Sequence, residues 1–164
     1  MKDKSKIVAS VAGMFVFSLA VVAYAEYASV QSFDLPTLVV EVPPQPTPRL
    51  APARALKVPF TKVDLTARGG DIVIEKITVK RTGSSVDQVF DEILLLDSEG
   101  EELGEGVLNS EHLVHFTEPI EVARDTTLRV TVAGNMAEEM NGLGGLMPSL
   151  TIMNIVASGI LKLE

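Results

Sequence analysis

From Ala55 to Ala157 the chain consists of short apolar runs cut by turn residues, and few folds accept that rhythm. Val63, Leu65 and Ala67 alternate with Asp64 and Thr66, and Gly69-Gly70-Asp71 then breaks the run before Ile72 to Lys80. Within the second run the apolar set Ile72, Ile74 gives way to Ile77, Val79. That slip of phase predicts a β-bulge or a strand passing between sheets. Val89 to Asp97 follows, with Ile93 to Leu96 apolar throughout, then the turn Ser98-Glu99-Gly100 and a weaker run from Leu103 to Leu108. Leu113 to Thr117, Ile120 to Val122, Leu128 to Ala133 and Leu150 to Ala157 complete the series, with the Gly142 to Gly145 stretch as a loop. No segment here reads as an amphipathic helix. The pattern predicts an all-β fold, a single antiparallel β-sandwich of about seven to eight strands over residues 54–164. The chain has no cysteine, so burial alone must hold the sandwich together.

The N-terminus has a different grammar. Lys2, Lys4 and Lys6 precede an uncharged run from Ile7 to Tyr24, and Ala23-Tyr24-Ala25 places small residues at the two positions a signal peptidase reads. Residues 1–25 therefore read as a hydrophobic signal helix cleaved after Ala25, or as an uncleaved anchor, since the run approaches the ~20 residues that span a bilayer core. Both readings place the rest of the chain outside the cell or at its surface. Without Lys2, Lys4, Lys6 and Asp3, the 14 basic and 22 acidic residues fall to 11 and 21, a net charge near −10. Such a surface repels nucleic acid and anionic lipid, so neither is expected as a partner and the membrane enters only through the signal segment.

Between signal and sandwich, residues 26–42 form a leader. Phe33 to Val42 is rich in apolar and β-branched residues, and Pro43, Pro44, Pro46 and Pro48 then mark a stiff linker over residues 43–53. Two readings of the extended leader strand stay open. It is the first strand of its own sandwich, or it is donated to the sandwich of a second copy, with Phe33, Leu35, Thr37, Val39 and Val42 as the inserted face. A greasy strand of this kind is a pairing hazard that secreted monomers usually blunt with charge. Head-to-tail donation is heterologous, and repetition without closure makes a filament.

Catalytic and metal-binding patterns are scarce. His112 and His115, three apart on a strand, point to opposite faces and cannot share a metal. The Gly142 to Gly145 stretch lacks the Lys-Ser/Thr of a phosphate loop. Asp87, Asp91 and Glu92, and separately Asp97, Glu99, Glu101, Glu102 and Glu105, offer oxygens of the kind calcium takes, but without its loop spacing; solvated turn carboxylates are the plainer reading. No catalytic residue, metal or cofactor is expected, and the chain does not read as an enzyme. With no Trp and few aromatic rings, a sugar-stacking platform is not favoured. Met136 to Met140 reads as one helical turn capping the sandwich, its methionines filling core gaps or forming an adhesive loop.

The order V-D-L-T-A-R-G-G-D-I-V-I-E-K-I-T-V-K-R-T-G from Val63, V-F-D-E-I-L-L-L-D-S-E-G from Val89, P-I-E-V-A-R-D-T-T-L-R-V-T-V from Pro119 and S-L-T-I-M-N-I-V-A-S-G from Ser149 resembles an Ig-like cell-surface module of candidate-phyla bacteria. The resemblance covers residues 56 to 159. It implies an Ig-like sandwich without catalytic residues. With its apolar leader and proline linker, the overall architecture resembles a donor-strand, pilin-like filament subunit. The expectation is a secreted structural subunit that forms a head-to-tail homopolymer. The alternative is a membrane-tethered surface module, its leader paired in its own chain and its Glu111 and Gly142 loops facing a ligand.

Overall fold

The longest strand organises the molecule. In the computed structural model, residues 35–47 and 51–160 are described; the signal segment 1–25 with Ala23 and Ala25, and Phe33 of the leader, lie outside them. β1 (Thr37–Glu41), β2 (Val58–Arg68) and β3 (Asp71–Ser84) are followed by a single 3-10 turn at Asp87–Val89. Then come β4 (Phe90–Leu96), β5 (Glu102–Gly106), β6 (Leu113–Phe116), β7 (Ile120–Val122), β8 (Thr127–Met136) and β9 (Met147–Ile160). Among the described residues the chain is all-β, with two antiparallel sheets. β2 to β9 are the runs read from the sequence, and β1 lies in the leader.

The larger sheet has the order β1-β2-β8-β4-β5. In the smaller one, β3 pairs along one edge with β9, from Asp71 opposite Ile160 to Ser84 opposite Met147. Its other edge is shared by β7 at Ile72–Ile74 and β6 at Ile77–Lys80. The expected slip of phase is present: the β3–β9 register breaks between Ile74 and Lys76. Glu75 is the extra residue, and it falls where the neighbour of β3 changes from β7 to β6.

Alternation sends Val63, Leu65 and Ala67 from one sheet toward Ile72, Ile74, Ile77 and Val79 from the other. Leu65, Ile74, Ile77, Ile93, Leu95 and Leu150 are each no more than 1 % exposed. β4 departs from simple alternation because both its faces are covered. Ile93 and Leu95 join the main core, whereas Leu94 and Leu96 form a separate cluster with Ala133 on the other face. That accounts for the unbroken apolar run, since a strand buried on two sides has no polar face to show.

The helical turn expected at 136–140 is absent. β8 continues through Met136, whose N–H donates to the Ala55 carbonyl at 2.8 Å, and the Ala137 N–H donates to Val89 at 3.0 Å. Those bonds spend the donors on neighbouring segments and leave an irregular loop after the strand. Met136 is core and Met140 packs against it, but Met147 and Met153 are exposed.

Candidate interaction surface

β1 lies antiparallel on the outer edge of β2, with Thr37 opposite Arg68 and Glu41 opposite Asp64. Side chains alternate across a strand, so Leu38 and Val40, opposite Ala67 and Leu65, take the interior face. Thr37, Val39 and Glu41 share the outer face with Arg68, Thr66 and Asp64. Leu38 packs on the core, and Val40 remains 50 % exposed.

The side chains expected to enter a neighbour thus face solvent in this chain's own sheet. Leu35, Val39 and Val42 are exposed, and Thr37 stands on the same outer face as Val39. Pro36, one residue before β1, is packed closely against two glycines. A Cβ on Gly70 would lie 2.7 Å from Pro36 Cγ, and one on Gly159 would lie 2.9 Å from the same atom. Only two residues without side chains leave room for the pyrrolidine ring, which bridges the β2–β3 turn and the end of β9.

Beyond β1 the prolines cannot continue the ladder, because they carry no N–H. Gln45 substitutes for it. Its Nε2 donates to the Lys62 carbonyl at 3.0 Å, and the Lys62 N–H donates to its Oε1 at 2.9 Å. A side-chain amide has the donor and acceptor that a strand residue would have offered. Residues 51–57 are fastened as well: the Arg54 N–H reaches the Ala137 carbonyl at 3.1 Å and the Lys57 N–H reaches Asn135 Oδ1 at 2.9 Å. The described parts of the 43–57 connection are held against the sandwich at both ends.

The electrostatics of the seat are unusual. Glu41 stands directly opposite Asp64, a like-charge pair that by itself is unfavourable. Arg129 on β8 compensates, with both carboxylate oxygens of Asp64 at 2.7 Å from its guanidinium. That hydrogen bonding keeps the Asp64 carboxyl below its usual range.

A second cluster lies where the 3-10 turn meets the β5–β6 connection. Asp87 accepts from Arg81 Nε and lies 2.7 Å from His112 Nδ1. Burial raises the Asp87 carboxyl, but the hydrogen bonds from His112 and Arg81 outweigh it and leave the carboxyl lowered. An open cleft of about 230 Å³ adjoins Asp87, between Phe90 and Leu108. His112 sits in a turn at φ 63°, while His115 on β6 pairs with the Thr78 hydroxyl at 3.1 Å, so the two histidines serve different partners. Asp97 caps its own turn, accepting from the N–H groups of Glu99 and Glu101 at 2.8 and 2.9 Å. Among the described residues no three acidic or histidine side chains are gathered to hold a metal.

Comparison with family models, curated proteins and solved structures returned no match to this chain. The surface must therefore be read from its own geometry. Sequence reasoning found the leader strand but missed Pro36 and Gln45, whose signal was a proline at a strand start and a lone amide among prolines.

Proposed function

We propose that this chain is an exported, Ig-like β-sandwich module of the cell surface, working by binding and not by catalysis, with its leader strand as the edge of its own sheet. The observation that carries the reading is the registered pairing of β1 on β2, secured by Pro36 at one end and Gln45 at the other. A strand so fastened closes an edge that would otherwise invite uncontrolled association. The acidic surface and the Glu111 and Gly142 loops remain open to a ligand.

A filament built by strand exchange is the second reading, and one observation favours it. β1 sends only Leu38 against the core and leaves Leu35, Val40 and Val42 exposed, so its release uncovers little. An identical strand from a neighbour would make the same contacts, which is why strand swapping is a low-cost route to assembly. Negative-stain electron microscopy of the exported protein, beside a variant lacking residues 26–42, decides between them. Single particles from the intact protein support the surface module. Filaments that vanish with the leader overturn it in favour of exchange.

A further inference from the structure

The register of β1 is not the one its charges prefer. In the observed pairing Glu41 faces Asp64; sliding β1 by two residues would put Thr37 opposite Thr66, Val39 opposite Asp64 and Glu41 opposite Lys62. That slipped strand keeps the same side chains facing inward, because a shift of two preserves the faces of a strand. It replaces a like-charge pair by an opposite-charge pair, and it brings Leu38 to the place that Val40 holds, opposite Leu65. Apolar patterning and charge therefore do not select the observed register.

We infer that Pro36 is the specificity-determining residue of this strand seat. It fits only where Gly70 and Gly159 both lack a Cβ, at the corner shared by the β2–β3 turn and the end of β9. Sliding by two carries it off that corner and moves Gln45 away from the Lys62 peptide it clasps from both sides. The seat thus reads an extended segment with proline first, an apolar residue two positions on and a carboxamide nine positions on. It admits the leader of this chain, or of a second copy, and discriminates against other apolar strands. The inference rests on β1 occupying the β2 edge, and holds whichever copy supplies the strand.

The chain has no cysteine, so introduced pairs report register without background. Thr66→Cys combined with Val39→Cys marks the observed register, and Thr66→Cys combined with Thr37→Cys marks the slipped one. In the otherwise unaltered full chain, oxidation is expected to join 39 to 66 and not 37 to 66. Adding Pro36→Ala is expected to shift crosslinking toward 37–66, and Gly159→Ala, which crowds Pro36 from the other side, should do the same. Circular dichroism checks that each variant retains its strands. Crosslinking that stays at 39–66 in both variants overturns the inference, as does loss of both crosslinks, which would make Pro36 an anchor without influence on register. Whether each crosslink lies within one chain or between two is a separate readout that bears on the cis reading alone.

Discussion

Arg129 holds Asp64 through both oxygens of its carboxylate, and Asp64 stands opposite Glu41, so one guanidinium on β8 governs the charge balance of an edge strand two positions away in the sheet. Arg129→Met is expected to return the Asp64 carboxyl toward its usual 3.8. Its folded value is lowered, so its stabilising contribution is complete above that usual value and fades as pH falls through the folded one. Carboxyl titration by NMR reads the shift. Hydrogen exchange reads the consequence for β1, whose amides should exchange faster near neutral pH when Glu41 and Asp64 face one another without Arg129. An unaltered Asp64 titration in the variant would show that the pair does not set it.

Asp87 joins β3 to the β5–β6 turn by bonding both Arg81 and His112. Arg81 keeps only 10 % of its side chain exposed, so removing the carboxylate leaves a guanidinium with little water to replace it. Asp87→Ala is expected to cost about 1–3 kcal/mol in urea unfolding at neutral pH. Because the Asp87 carboxyl is lowered in the folded state, its contribution is present above 3.8 and lost on acidification. The gap between variant and parent should therefore narrow between about pH 5 and pH 2. A constant gap across that range would assign the loss to packing.

Gly134 on β8 faces the Phe90 ring at a distance that leaves no space for a methyl group: a Cβ would lie 2.7 Å from two ring carbons. Phe90 is itself held edge-on by Phe60, with ring centroids 5.3 Å apart. Gly134→Ala should force the pair apart and cost about 1–3 kcal/mol, as overpacking does. Denaturant midpoints measure it, and a near-UV change should accompany any loss. A neutral substitution would mean that Phe90 has a second rotamer available.

β9 offers a contrast within one strand. Leu150 is fully buried, whereas Met153, three residues on, is 57 % exposed at a register shift. Leu150→Ala is expected to cost about 2–5 kcal/mol. Met153→Ala should stay within about 0.5 kcal/mol of the parent. Equal effects would mean that the two positions share one environment.

The runs that became β2 to β9 were legible because alternation and turn residues are local, and so was the bulge, since Ile74 and Ile77 cannot share a face of a regular strand. The methionines were half legible. Met136 and Met140 sit in or against the core, but no local rule distinguishes them from exposed Met147 and Met153. Asp87, Arg81 and His112 were visible singly; nothing in their spacing announces that the β5–β6 turn brings His112 back to Asp87.

What the sequence determined by itself was the existence of each strand and the two alternating sets of side chains it carries, because that information lies in neighbours two residues apart. It also determined that no disulfide holds the sandwich. What only the tertiary structure decided was pairing. The sequence shows that the leader is a strand; that its Leu38 lies opposite Ala67 and not opposite Leu65 depends on Gly70 and Gly159, distant in the chain and adjacent in space. Charge and hydrophobicity act between whichever residues meet, and a strand that reads equally well in two registers has its choice made by shape at one corner.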